Sequence, residues 1–363
     1  MTPTAPPIQN HPIHHQRERL TMQSTLKKLA AITTVGIAAI ALAGCSAQAP
    51  ADTDPSGTPT ATKPATMTDI NFRLDFTTGS EHLGYLMAQE LGYYKDAGLN
   101  VEISEGQGSA IGATLLASGK NDIGIIAAGE VLAGVSRGLP IHAVATVLRS
   151  SPEAIIYNTA KVKVDKVKDL EGHSIGVDKA TSNGKIWLAI AAANDVDLNK
   201  VNQVNAGKAV VQALLNGDVD SIMGYSFNQG LQARAGGVDA QFLSVKELGM
   251  DIPNHTIAVN DSWAADHKEA ISAFLDATKK GWQAVIDDKE KALDVLIRDY
   301  PKLDRTMMAE KLDIFLDLMG PIDEFGTYDA ANWKTLNDVY SAQGLLEKDV
   351  TVEGQVYDTS FVK

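Results

Sequence analysis

The sequence predicts an α/β protein of two lobes joined by two chain crossings. Three observations carry this reading. From Ile70 onward, short apolar strands alternate with segments of helical spacing, the pattern of a largely parallel sheet covered on both faces. The alternation restarts as a second unit near Ser174. A further strand, Thr256–Val259, comes after that unit and ahead of a helical tail, so it reads as a return to the first.

The elements follow in order. Ile70–Phe76 alternates as a strand, and His82–Asp96 carries Leu83, Leu86, Met87, Leu91 and Tyr94 at helical spacing. Asn100–Ile103 is a strand, Ile111–Ser118 a helix and Asp122–Ala127 a buried strand; Val131–Arg137 and Ile141–Leu148 continue the alternation. In the second unit Ser174–Val177, Val219–Met223 and Gln241–Val245 are strands, with helices at Gly184–Asn194 and Ala209–Leu215. The tail is helical over Ala265–Asp287, Lys289–Asp299, Thr306–Leu318 and Ala330–Gln343, punctuated by Pro301 and Pro321. Lobe 1 is therefore expected over 69–160 plus 255–363, and lobe 2 over 161–254. Two crossings make a hinge. Ligands of open α/β sheets sit beyond the carboxyl ends of the strands, and hinge closure around them is the motion this layout permits.

The sole cysteine, Cys45, ends Leu42-Ala43-Gly44-Cys45. Lys27 and Lys28 precede an apolar stretch from Leu29 to Ala43, shorter than the roughly 20 residues of a spanning helix. Charged n-region, apolar h-region and small-residue cleavage site form a secretory signal. Leu-Ala-Gly-Cys resembles the lipobox of secreted bacterial lipoproteins, whose cysteine is acylated and becomes the new N-terminus. Residues 1–44 are expected to be leader and signal peptide, with Met22 a plausible true start and the His-rich leader before it. Residues 45–68 are expected to be the lipidated Cys45 and a linker; its Ala, Thr, Pro, Ser and Asp cannot bury enough surface to fold. This places the folded body outside the cytoplasm, anchored to the outer face of the bacterial cytoplasmic membrane by lipid.

The chain has 32 basic and 45 acidic residues. With Arg17, Arg19, Lys27 and Lys28 against Glu18 ahead of Cys45, the remainder stands at −16. So acidic a surface argues against nucleic acid, whose phosphates need a basic footprint. No disulfide is possible beyond Cys45, so the fold rests on its core. The roughly 295 residues from 69 onward suffice for a two-lobed unit.

Several segments carry a family resemblance. Tyr85, Ala88, Gly92-Tyr93-Tyr94 and Gly98-Leu99-Asn100-Val101 resemble a stretch of the periplasmic substrate-binding proteins of ABC importers. Asn121-Asp122-Ile123-Gly124, Gly138-Leu139-Pro140-Ile141, Asp169 to Val177 and Gly217 to Gly224 are similar to four later motifs of that family, in the same order. The resemblance spans Ile70 to Leu346. It implies the type II periplasmic-binding-protein fold, a small-molecule solute, an ABC permease with its ATPase subunits as partners, and a monomer. The branch it looks most like, within the nitrate, sulfonate and taurine binding proteins and their relatives, binds the thiamine pyrimidine precursor. That branch shows Asp-Trp-x-Pro-Asn-x-x-His at the first strand end. Here Asp75 and His82 match, Phe76 replaces Trp, and the Pro and Asn are missing. Where the branch has Trp-Asn-Tyr-Glu, this chain has Phe227-Asn228-Gln229-Gly230. The resemblance implies a heteroaromatic solute; sister branches would take an alkanesulfonate, nitrate or aromatic carboxylate.

The candidate ligand-binding residues are Phe76, His82, Ser109, Glu130, Thr181, Ser182, Tyr225, Phe227 and Asn228. His82 stands either as a hydrogen-bond partner for a ring nitrogen or carbonyl or as a helix-capping residue. Glu130, after a buried strand, reads as an acceptor for an amine or as an acid favoured in a helix's first turn. The amides of Gly106-Gln107-Gly108-Ser109 could face a polar group, while Ser109 alone reads as an N-cap. Thr181-Ser182-Asn183-Gly184 is the corresponding loop of lobe 2. Phe76, Tyr225 and Phe227 could stack on a flat ring or belong to the core. Trp187, Trp263, Trp282 and Trp333 read as packing. His-Glu-x-x-His and Walker patterns are absent, and the histidines are too scattered in sequence for a metal site. The sequence therefore predicts no catalytic residue, no metal and no cofactor. A secreted enzyme on the same fold is the competing class. A eukaryotic relative that makes the thiamine pyrimidine resembles an enzyme with a cysteine-rich segment, which this chain lacks.

Overall fold

Among the described residues, ten strands form two five-stranded sheets of matching design. The computed structural model describes residues 67–178 and 181–361, all within Thr62–Lys363, one of two units into which the chain divides. The expected signal peptide, Cys45 and nearly all of the expected linker lie outside the described residues. The strands are β1 (Thr68–Arg73), β2 (Leu99–Ser104), β3 (Ile123–Ala127), β4 (Ile141–Thr146), β5 (Glu153–Asn158), β6 (Ser174–Val177), β7 (Asn202–Asn205), β8 (Ser221–Tyr225), β9 (Ala240–Ser244) and β10 (His255–Asn260). The first sheet runs β2-β1-β3-β10-β4 and the second β7-β6-β8-β5-β9.

Each sheet pairs three strands in parallel and sets a fourth antiparallel between two neighbours. In the first sheet β1 pairs with β2 and β3 in parallel, and β10 lies antiparallel to β3 and β4. In the second, β6 pairs with β7 and β8 in parallel, and β5 lies antiparallel to β8 and β9. The sheets are thus mixed rather than largely parallel, because the antiparallel strand is in each case the one that has just crossed from the other lobe. This corrects the expected lobe boundary. β5 belongs to the second sheet, so the first crossing lies between Thr146 and Glu153, not near residue 160. Pro152 directly precedes that strand, and Ala154, Ile155 and Ile156 are fully buried in it.

The two crossings lie side by side. The Val147 and Leu148 amides donate to the His255 carbonyl at 2.8 and 3.1 Å, and the Asn254 amide donates to the Leu148 carbonyl at 3.0 Å. This short ribbon is the hinge.

The tail helices are Lys268–Asp287, Lys289–Asp299, Arg305–Met319 and Ala330–Ala342; the first starts at Lys268 rather than the expected Ala265, because a separate short helix, Asp261–Asp266, ends ahead of it. Asp288, Asp304 and Asp329 cap the last three by accepting from first-turn amides, which satisfies donors a helix start leaves orphaned. The helix Lys268–Asp287 presses against Leu83–Glu90 at two glycines. A Cβ on Gly281 would stand 2.0 Å from the Gly84 carbonyl, and one on Gly84 would stand 2.2 Å from the Trp282 ring. Trp187, Trp282 and Trp333 are fully buried, and Trp282 stacks on Phe315 at 5.1 Å.

Candidate cleft between the two sheets

A cavity of about 300 Å³ lies between the lobes. Its walls come from the carboxyl ends of all six parallel strands: Asp75 and Phe76 follow β1, Gln107 and Ser109 follow β2, Glu130 follows β3, Thr181 follows β6, Lys208 follows β7, and Tyr225 ends β8. His255 joins them because β10 runs antiparallel and begins at that same edge. Seven of the nine residues expected from sequence line it: Phe76, Ser109, Glu130, Thr181, Tyr225, Phe227 and Asn228. Ser182 opens the helix Ser182–Ala193, and its side chain falls outside what is described.

His82 is placed elsewhere. Its ring is fully buried behind Asp75 and does not line the cavity. Nδ1 accepts from the Gly79 amide at 3.2 Å, which leaves the proton on Nε2 to donate to Asp75 Oδ1 at 2.8 Å. His82 is thus a positioning residue for Asp75. On the 3-10 turn Ser80–His82, it is the neighbouring Glu81 that faces the cavity.

Asp75 sits between two imidazoles. His255 Nε2 stands 3.3 Å from its Oδ2, within ion-pair range but too poorly aligned for a hydrogen bond. Burial alone would raise the Asp75 carboxyl. The adjacent His255 imidazole, then the His82 imidazole, outweigh it and hold the group well below the usual carboxylate range.

Two amides of the loop after β2 are taken up by the first strand. The Gly106 amide donates to the Phe76 carbonyl at 2.9 Å and the Gly108 amide to the Asp75 carbonyl at 2.8 Å. A Cβ on Gly106 would stand 2.1 Å from the Leu74 carbonyl oxygen, and Gly108 has φ +108°, so both positions need glycine. The expected N-cap role of Ser109 is also corrected. Gly108 holds the cap position, and Ser109 Oγ accepts from the Ala127 amide at 3.0 Å, tying the helix to the end of β3. The helix Ala128–Ser136 carries Glu130 in its first turn. Its carboxylate bonds Lys185 Nζ at 3.0 Å, so a group from each lobe meets across the cleft.

The aromatic wall belongs to a π-turn, Ser226–Gly230, directly after β8; such turns recur at functional sites. Gln229 Oε1 accepts from the Tyr225 amide at 2.8 Å and fixes the turn. Tyr225 and Phe227 meet edge to face at 5.6 Å, and the Tyr225 hydroxyl donates to Asn254 Oδ1 in the hinge at 3.3 Å. Phe76 is 47% exposed at the opposite wall. Sequence reasoning missed Asp75 as a lining residue, together with Glu81, Lys208 and His255. Only Asp75 carried a signal, the match at the first strand end.

Comparison with known proteins follows the geometry. Residues 79–292 match the family described as NMT1/THI5 like. The chain is 24% identical over 303 residues to the formylaminopyrimidine-binding protein of Halalkalibacterium halodurans, covering 82% of this chain and 92% of that protein. It is 25% identical over 348 residues to the riboflavin-binding protein RibY of Chloroflexus aurantiacus, covering 91% and 97%. It is 26% identical over 250 residues to the 4-amino-5-hydroxymethyl-2-methylpyrimidine phosphate synthase THI13 of Saccharomyces cerevisiae, covering 66% and 73%. Among solved structures, the periplasmic aliphatic sulphonate binding protein SsuA of Escherichia coli superposes with a TM-score of 0.65 at 14% identity, over 82% of this chain and 99% of that one. The fold is that of the type II periplasmic binding proteins, and the chain belongs to the NMT1/THI5-like family.

Proposed function

We propose that this chain is the extracytoplasmic solute-binding lipoprotein of an ABC importer, and that it captures a small heteroaromatic solute of the aminopyrimidine type by lobe closure. The charge of the cavity wall carries the reading. Asp75, Glu81 and Glu130 line it, and Lys208 is the one Lys or Arg among the described lining residues. A sulfonate, nitrate or carboxylate would meet three carboxylates there. A neutral or weakly basic ring meets acceptors at its edge and Phe76, Tyr225 and Phe227 at its faces, each aromatic contact contributing about 0.5–1.5 kcal/mol beyond burial. The size supports one or two rings over a flavin: about 300 Å³ is the lower end of ordinary ligand sites. Similarity to the formylaminopyrimidine-binding protein agrees with this choice.

In this reading Cys45 carries the lipid, the partners are a permease with its ATPase subunits, the protein acts as a monomer, and no bond in the solute is made or broken. Similarity to the yeast synthase favours a second reading, an enzyme on the same fold. Calorimetry with pure protein separates the two. Stoichiometric binding of an aminopyrimidine, recovered unchanged, supports capture; turnover supports the enzyme; binding of ethanesulfonate or nitrate instead overturns the pyrimidine assignment. For the anchor, Cys45→Ala is expected to release the protein from membranes, and retention there would refute lipidation at this cysteine.

A further inference from the structure

We propose that Glu81 is the specificity-determining acceptor of the site, selecting solutes that bring an N–H donor to its second carboxylate oxygen while Lys311 holds the first. This rests on the aminopyrimidine reading and deepens it. Glu81 is 5% exposed and lines the cavity. Its Oε1 is bound by Lys311 Nζ, from the helix Arg305–Met319. Its Oε2 is buried and has no hydrogen-bond partner among the described residues. The other two carboxylates differ: Glu130 already engages Lys185, and Asp75 lies between two imidazoles.

A buried carboxylate oxygen without a donor is costly, and such orphans in a folded protein need a reason. Here a donor on the ligand supplies one. The position is built for it. Gly79 has an extended backbone, φ −156°, yet a Cβ there would stand 2.3 Å from Glu81 Oε2, so the missing side chain leaves the space that oxygen fills. Lys311 also lies over the Phe227 ring at 5.5 Å, which ties the carboxylate to the aromatic wall of the other lobe. A second buried atom of the lining, Asn183 Oδ1 in the other lobe, also has no hydrogen-bond partner among the described residues. The site thus offers unmet polar groups from both lobes, and the carboxylate among them can only accept.

The test is calorimetry on wild type, Glu81→Gln and Gly79→Ala with four probes: 4-amino-5-hydroxymethyl-2-methylpyrimidine, its 4-oxo counterpart, riboflavin and ethanesulfonate. Wild type is expected to prefer the amino ring. In Glu81→Gln the amino ring should weaken about 10- to 100-fold, the value of a charge-assisted hydrogen bond, while the 4-oxo ring holds or improves because the Gln amide donates. Gly79→Ala keeps both charges and displaces the oxygen, so it should lower the same preference even if Glu81→Gln fails to fold. An amino-to-oxo ratio unchanged in either folded variant overturns the Glu81 assignment and leaves the pyrimidine reading intact. A wild type that binds ethanesulfonate, riboflavin alone or none of the four overturns the pyrimidine reading, and this proposal with it.

Discussion

Glu153→Gln tests the hinge. Glu153 is 2% exposed at the first residue of β5, and its two oxygens accept from Asn254 Nδ2 at 3.1 and 3.0 Å. Burial pushes its carboxyl from the ordinary 4.5 up to about 7, against smaller opposing pulls from its own amide and from Asn254. The unfolded chain releases this proton near 4.5 and the folded chain near 7. Between those values the folded state holds more protons, so stability falls as pH rises. The whole effect amounts to about 3 kcal/mol, absent below pH 4.5 and fully imposed above 7. Gln keeps an acceptor for Asn254 and carries no charge. Urea denaturation should therefore give the two proteins similar stability near pH 4.5, with the variant about 2–3 kcal/mol more stable at pH 8 and the m-value unchanged. Comparing the two proteins at each pH cancels the titration of groups common to both. Stability curves that run parallel from pH 5 to 8 would refute the argument.

Four further outcomes are expected. Lys185→Met should speed solute release and weaken binding about tenfold, measured by stopped flow, because the mostly buried Glu130 loses its partner from the other lobe. Gly84→Ala should destabilise by about 1–3 kcal/mol in thermal unfolding, since its Cβ would meet Trp282 at 2.2 Å. Phe76→Ala should leave the unliganded Tm unchanged, being 47% exposed, and weaken binding of a heteroaromatic solute by about 0.5–1.5 kcal/mol in calorimetry. Asp75, whose carboxyl is depressed, contributes stability that is present above 3.8 and lost as pH falls through its folded value. Acid denaturation of Asp75→Asn should accordingly show a shallower loss below pH 4 than wild type.

How much of this was legible depended on whether a signal was local. The return strand was readable because Thr256-Ile257-Ala258-Val259 is an apolar run just after Pro253. β5 was not, because it opens on an acid and follows Ile141–Leu148 closely, so it reads as more of the same lobe. The aromatic residues Phe76, Tyr225 and Phe227 could be placed at the cleft because they sit at strand ends, where the general rule puts ligands. His82 and Glu81 differ by one position on a tight turn, and no periodicity decides which faces inward. Asp75 with His255, Glu81 with Lys311 and Glu130 with Lys185 are separated by 180, 230 and 55 residues. Only the packing of the helix Arg305–Met319 and the crossing of the chain bring such pairs together.

One residue serves both pivot and floor. The His255 carbonyl receives the amides of Val147 and Leu148 in the crossing ribbon, and its imidazole sits directly against Asp75 in the cavity lining. Any rotation of the lobes that bends the ribbon must also tilt that ring. If the lobes close as proposed, chamber and gate would be mechanically one part, and a swung-out molecule would offer its solute a different floor from the shut one.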